Sequence, residues 1–165
     1  MIKIGLLSDT HGFLDNKIFK HFKDCDEIWH AGDIGSFETL EEMKAFRPLK
    51  AVYGNIDGQD IRNMVPQSIR FMCEDVDVFM KHIGGYPGLY DKSVLETIRQ
   101  NPPKLFISGH SHILKVMYDK KLGLLHINPG SAGISGFHQV RTIIRFVIEK
   151  DAIRDLEVIE MGKRN

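Results

Sequence analysis

The sequence predicts an α/β domain whose first part is parallel and whose later part follows a period of two. Three observations carry this. Short apolar runs near residues 2–7, 26–29 and 51–53 alternate with helical stripes, a βαβαβ pattern whose right-handed crossovers favour parallel strands. From Ile69 onward the apolar residues recur at every second position, over Ile69, Phe71 and Cys73 and again over Val76, Val78 and Met80. Each apolar run also breaks into a polar, often glycine-containing stretch, as expected of a site built along the carboxyl ends of strands. A length of 165 residues fits one domain, 1–165, with a sizeable core.

The elements follow in order. Ile2, Ile4, Leu6 and Leu7 form a strand that ends at Ser8-Asp9-Thr10-His11-Gly12. Leu14, Ile18 and Phe22 make a helical stripe opposite Asn16, Lys17 and Lys20, with His21 on the solvated side. Asp26 to Trp29 is a second strand, ending in His30-Ala31-Gly32-Asp33. Ser36 can cap a helix with Phe37, Leu40, Met43 and Phe46 on its apolar side and Pro48 as the stop. Ala51-Val52-Tyr53 leads into Gly54-Asn55-Ile56-Asp57-Gly58, and Gln59 to Gln67 is a polar loop.

Glu74-Asp75 then turns a hairpin, and His82 continues the series of Val76, Val78 and Met80 toward the core, where a polar group needs a partner. Asp91 can cap a helix bearing Val94, Leu95 and Ile98, ended by Asn101-Pro102-Pro103. Lys104 to Ser108 feeds Gly109-His110-Ser111-His112, two imidazoles that share a face at a strand exit. Strand patterns at Leu114–Tyr118, Leu124–Ile127, Val140–Ile148 and through Val158 complete the chain.

Composition narrows the function classes. Hydrophobic residues at 42% and charged residues at 27% are ordinary for a soluble protein, and 22 basic residues balance 22 acidic ones. No global field therefore draws in a long polyanion, so extended nucleic-acid binding is not expected. No apolar run reaches transmembrane length, and Cys25 and Cys73 form no paired motif, so a cytoplasmic protein with both thiols buried is expected. A homo-oligomer stays open.

The polar strand exits collect Asp9, His11, Asp33, Asn55, His82, His110 and His112. Mixed oxygen and imidazole donors suit borderline cations such as Mn²⁺, Fe²⁺, Zn²⁺ or Ni²⁺ better than Mg²⁺ or Ca²⁺. A carboxylate such as Asp33 can bridge two ions spaced to clamp both the attacking and the leaving oxygen of a phosphoryl transfer.

In order, Asp9-Thr10-His11, Gly32-Asp33, Gly54-Asn55-Ile56-Asp57, His82 and Gly109-His110-Ser111-His112 resemble the signature of the calcineurin-like metallophosphoesterases. Asn128-Pro129-Gly130-Ser131 is similar to the family's small phosphodiesterase branch. The resemblance implies a four-layer αββα fold, a two-sheet β-sandwich flanked by helices. It implies that Asp9, His11, Asp33 and His112 hold one divalent ion and Asp33, Asn55, His82 and His110 the other, with Mn²⁺ foremost. A hydroxide between the ions would attack phosphorus in line, which makes Asp33, Asn55 and His82 catalytic through the metals. A small phosphate ester, chiefly a diester, is the implied substrate.

Two departures stand out. Ile56 occupies the place of the family's histidine that assists the leaving oxygen, and general acid help is typically worth about 10² to 10⁴ in rate. Ser36 stands where many relatives carry an acid. His138, in the Gly-rich segment after Pro129-Gly130-Ser131, is a substitute donor to consider, while His30 reads as a structural group or one behind the ligands, His126 as a core group or one behind the ligands, and Asp57 as a group behind the ligands or near substrate. Gly84 to Gly88 and Gly130 to Gly136 are either substrate-side loops or simple turns, and Tyr86 and Phe137 are aromatics able to stack on a ring. The branch is also related to a retromer scaffold subunit, so the alternative function is a non-catalytic interaction scaffold on the same fold.

Overall fold

The computed structural model describes residues 1–165. In chain order the elements are β1 (Ile2–Leu7), α1 (Lys17–His21), β2 (Glu27–His30), α2 (Phe37–Phe46), β3 (Leu49–Ala51) and α3 (Gln59–Arg62). There follow β4 (Ser68–Cys73), β5 (Val76–Lys81), β6 (Gly85–Tyr86), β7 (Leu89–Tyr90) and α4 (Lys92–Gln100). The chain ends with β8 (Leu105–Ile107), β9 (Lys115–Asp119), β10 (Leu124–Asn128), β11 (Val140–Glu149) and β12 (Ala152–Lys163).

The first sheet has the order β12-β11-β1-β2-β3 and the second β4-β5-β8-β10-β9. β1, β2 and β3 run parallel, as the alternating pattern requires, with β11 and β12 added antiparallel. In the second sheet β5, β8 and β10 are parallel, with β4 and β9 antiparallel at its edges. Both sheets are therefore mixed. The period-two pattern of residues 140–158 belongs to the first sheet, because β11 crosses back to pair with β1.

The two sheets face each other across one apolar layer. Ile4, Leu6, Trp29, Ile144 and Phe146 of the first sheet meet Val76, Val78, Met80, Leu105 and Ile107 of the second, all buried. Trp29 packs edge-on against Phe71 and Phe146, with centroids 5.0 and 5.7 Å away, and its Nε1–H donates to Glu27. The ring thus gains burial without losing its hydrogen bond. α1, α2 and α3 cover the outer face of the first sheet through Ile18, Phe22, Leu40, Met43 and Ile61. α4 covers the second through Val94 and Ile98, packed on Phe79 and Phe106. The result is the expected sandwich flanked by helices, with Cys25 and Cys73 buried and free. No helix is long and apolar enough to cross a membrane.

The caps fall as expected. Ser36 Oγ accepts the Thr39 N–H and Asp91 accepts the Ser93 N–H. Several boundaries differ. α1 starts only at Lys17, because Asp15 caps its entry by accepting the Lys17 N–H and ties to Arg141. Phe37 is exposed rather than on the buried side of α2. The expected loop at Gln59–Gln67 holds the single turn α3, and β12 runs on to Lys163.

Two imidazoles lie inside this frame. His30 donates Nε2–H to Thr10 Oγ1, which itself donates to the Ile34 carbonyl, and His30 Nδ1 accepts the Gly32 N–H. His126 on β10 donates Nδ1–H to the Phe106 carbonyl. Burial pushes both down to about 4, so both stay neutral in the fold, whereas the unfolded chain binds their protons near pH 6.5. The unfolded state then binds more protons as pH falls, and stability drops between pH 6.5 and 4, by about 3 kcal/mol per group at pH 4. Urea unfolding at pH 7 and pH 4 checks this: His126→Leu makes the decline shallower, and an unchanged slope refutes the assignment.

Candidate metal centre

The centre lies where five parallel strands end. β1, β2, β3, β5 and β8 all release their chains on one side of the sandwich, at Asp9 and His11, Asp33, Asn55, His82, and His110 and His112 respectively. Five of these residues adopt left-handed backbone: Asp9 (φ 56°), His11 (48°), Asp33 (54°), His110 (72°) and His112 (61°). That conformation costs an L-residue roughly 1–2 kcal/mol. It reverses the chain sharply enough to turn each side chain over the strand ends.

The exits are bonded to one another. Asp9 N–H donates to Gly32, His11 N–H to Asp33, and Gly109 N–H to His82, each carbonyl at 3.0 Å. Ser131 Oγ donates to the Asp9 carbonyl and Asn128 Nδ2 to that of Gly109. The Asn128–Ser131 stretch thereby pins the first and the last of the exits together.

The donors converge in two clusters, Asp9 with His11 and His112, and Asp33 with His82 and His110. Asp33 Oδ2 stands 3.2 Å from His82 Nε2 and 3.4 Å from His11 Nε2, so one oxygen faces both clusters. Asp9 Oδ1 is 3.1 Å from His112 Nε2. Asn55 Oδ1 sits 3.1 Å from His82 Nε2 and 3.0 Å from His110 Nδ1. All seven residues of the expected ligand set are brought together.

The arrangement suits a cation. His82 donates Nδ1–H to the Ala31 carbonyl at 2.8 Å, which leaves Nε2 as a lone pair in the neutral ring. That lone pair faces two further acceptors, Asn55 Oδ1 and Asp33 Oδ2, and only a proton or a metal ion between them relieves the repulsion. Asp9 Oδ1 and His11 Nε2 are buried and lack any hydrogen-bond partner, an arrangement that native interiors avoid unless another group completes it. Mixed carboxylate, amide and imidazole donors fit divalent ions of the borderline class.

Electrostatics agree with the geometry. Burial works against charge on Asp9 and Asp33, yet the imidazoles of His11 and His112 about the first, and of His11 and His82 about the second, hold both carboxyls well below the usual range. Asp33 first and then Asp9 raise His11 to about 9. For His82, burial opposes the charge, but Asp33 and Asp9 raise it on balance.

Groups behind the ligands position them. Asp57 is buried and accepts the N–H groups of Gly54 (2.8 Å), Gly35 (2.8 Å) and Ile34 (3.1 Å), so it clamps the loops that carry Asn55 and Asp33 and does not line the centre. His30 likewise bonds Thr10 and Gly32 behind it. His138 lies beside His112, ring centroids 5.2 Å apart, with Nε2 bonded to the Gly133 carbonyl and Nδ1 buried without a partner. Ile56 gives its backbone N–H to Asp33 Oδ1 at 3.1 Å while its side chain is exposed. Ser36 only caps α2. Ser8 is a supporting residue that no motif marks. Its Oγ donates to Asp9 Oδ2 at 2.6 Å, and its place directly before Asp9 is the one signal for it.

Glycine matters most at two positions. A Cβ at Gly54 would sit 2.0 Å from Asp33 Oδ1, and one at Gly32 (φ 103°) would sit 2.6 Å from the His82 ring. Gly54→Ala must therefore displace Asp33, and disturbing a ligand's support typically weakens metal affinity about 10- to 100-fold. Calorimetric Mn²⁺ titration of wild type and Gly54→Ala is expected to show that loss, and equal affinities would contradict the role given to the glycine.

Comparison with known proteins places these features. The model of the calcineurin-like phosphoesterase superfamily domain matches residues 2–151. A probable metallophosphoesterase of Methanothermobacter thermautotrophicus is 30% identical over 135 residues, covering 78% of this chain and 76% of the relative. A phosphodiesterase of Methanocaldococcus jannaschii is 30% identical over 146 residues, covering 78% and 83%. Among solved structures, an archaeal phosphodiesterase superposes with a TM-score of 0.75 at 27% identity, over 96% of this chain and all of that one. Vps29 of Entamoeba histolytica, in a structure complexed with zinc, is similar in fold, with a TM-score of 0.74 at 15% identity over 99% of this chain and all of that one. With its donors at the ends of the parallel strands and a family match spanning residues 2–151, the chain belongs to the calcineurin-like phosphoesterase superfamily.

Proposed function

We propose that this protein is a metal-dependent phosphodiesterase holding two divalent cations, one by Asp9, His11, Asp33 and His112 and the other by Asp33, Asn55, His82 and His110. The observation that carries the reading is Asp33 Oδ2, set between His11 Nε2 and His82 Nε2 at 3.4 and 3.2 Å. Divalent ions bound there would supply a water of lowered pKa and charge neutralisation at phosphoryl oxygens. Mn²⁺ is the ion we favour, with Fe²⁺, Zn²⁺ and Ni²⁺ as the other members of its class. The relatives described as phosphodiesterases support the diester, and the balance of 22 basic and 22 acidic residues supports a small substrate over a long polyanion.

The chain's own residues orient rather than protonate. Ala31 fixes the His82 tautomer through Nδ1, Ile56 N–H and the Asp57 clamp hold Asp33 in place, and Asn55 spans His82 and His110. No proton donor stands at position 56. His138 offers little in its place, because its Nε2–H is committed to Gly133 and its neutral Nδ1 carries no proton. The leaving oxygen then departs unassisted by a side chain, which favours substrates with stable leaving anions.

Metal-stripped protein is expected to be inert toward bis(p-nitrophenyl) phosphate, Mn²⁺ to restore turnover, and Asp33→Asn to lose it by about 10² or more, since the carboxylate charge facing both donor clusters is removed. Replacing p-nitrophenolate by phenolate as the leaving group is expected to slow the reaction by about 10² or more, the contribution an acid would otherwise make. No turnover with any divalent ion would reject the enzyme in favour of the scaffold to which the Vps29 fold points.

A further inference from the structure

Two clefts open beside His82 and His110, and their chemistry differs. One, of about 420 Å³, passes Tyr53, Arg62, Gln67 and Lys81 and is lined mainly by polar and charged residues. The other, of about 480 Å³, begins at Gly109 and His110 and runs along the β6–β7 hairpin, with Tyr86, Leu89, Ile113 and Lys115 on its walls and His126 also lining it. Tyr86, Leu89 and Ile113 are all exposed, so the apolar lining is open to an incoming group. The Lys115 ammonium lies 4.0 Å from the Tyr86 ring centroid, a cation–π contact that favours an ordered ring.

His126 supplies the second, independent observation. The residue is fully buried, and Nε2 has no hydrogen-bond partner. The other atoms in that condition, Asp9 Oδ1, His11 Nε2 and His138 Nδ1, belong to the metal centre or adjoin it. Because Nδ1–H donates to the Phe106 carbonyl, Nε2 is a lone-pair acceptor. Burial keeps the ring neutral, with its pKa down at about 4. An acceptor left unpaired in an interior is destabilising, and a ligand that brings a donor recovers that loss.

Resting on the phosphodiesterase reading, we propose that this cleft receives one ester substituent of the substrate, a flat aromatic or heteroaromatic ring carrying an N–H or O–H donor. The phosphate lies at His110, the ring packs against Tyr86, Leu89 and Ile113, and the donor bonds to His126 Nε2. The polar cleft on the other side of His82 is left for the second substituent. The cleft thereby selects among diesters by the ring it accepts.

Ethyl, phenyl and 3-hydroxyphenyl phosphate separate these contacts when bound to the Mn²⁺-loaded protein and measured by calorimetry, with no turnover required. Phenyl phosphate is expected to bind about tenfold tighter than ethyl phosphate, and the hydroxyl to add about fivefold. Tyr86→Ala removes the first difference and His126→Leu the second, while the affinity for ethyl phosphate stays as it was. Tyr86 is exposed, so its variant decides the matter even if His126→Leu does not fold. Equal affinities for the three phosphates, or differences that survive both substitutions, overturn the cleft assignment and leave the metal centre untouched. Absence of binding by all three overturns the cleft assignment, while metal-dependent turnover of bis(p-nitrophenyl) phosphate decides the phosphodiesterase reading separately.

Discussion

A single carboxylate that must face two imidazole clusters sets the terms for the rest of the molecule. Asp33 Oδ2 meets His11 on one side and His82 on the other, while Oδ1 is held by Ile56 N–H. Those imidazoles come from the ends of β1 and β5, one in each sheet. The sheets must therefore stack with their parallel strands ending on the same side. The apolar layer from Ile4 and Leu6 to Val78 and Met80 fixes that stacking, so the position of Asp33 depends on core packing as much as on its own loop.

Local conformation at this end of the sandwich is unfavourable on its own. Five non-glycine residues sit in left-handed backbone, at roughly 1–2 kcal/mol each, a sum comparable with the whole net stability of a typical domain at about 5–15 kcal/mol. Such strain persists only where surrounding structure over-determines it. Here the surroundings are the hydrogen bonds between exits and the Asp57 carboxylate, which ties three N–H groups from two loops to one point. Strain and support occupy the same few residues at the centre, while the other non-glycine residues in left-handed backbone, Glu74, Lys150 and Asp155, sit singly at turns and in a strand outside it.

Much of this was legible in the sequence, because polar groups at the ends of apolar runs stand out against the strand pattern that precedes them. Asp9, His11, Asp33, Asn55, His82, His110 and His112 all announced themselves that way, as did the caps at Ser36 and Asp91. Sheet membership was not legible. The alternation of Val140–Ile148 marks a strand with two different faces, and nothing local says that its partner is β1, 138 positions earlier by register at Ile144 and Leu6. The tasks of Gly54 and Gly32 were equally hidden, since each avoids a clash with a side chain from a different strand. For Asp57 the sequence leaves two places open, behind the ligands or near substrate, and only the fold, which brings the N–H groups of Ile34, Gly35 and Gly54 onto its carboxylate, puts it behind them.

The same centre bears on the choice between catalyst and scaffold. A protein that uses this fold only as a surface gains nothing from a buried carboxylate oxygen and a buried imidazole nitrogen with no partners, or from a lone pair on His82 aimed at two further acceptors. Each unpaired group is worth about 1–3 kcal/mol of destabilisation, and aliphatic or hydrogen-bonded replacements of similar volume remove it. Divalent ions reverse the sign of all these terms at once, turning repulsion among acceptors into coordination. Similarity in fold to Vps29 at 15% identity speaks to the arrangement of sheets and helices, whereas the unpaired donors are a property of this chain. The unpaired atoms of Asp9 and His11 and the His82 lone pair are thus a cost that ion binding offsets and that a purely structural surface has no reason to carry.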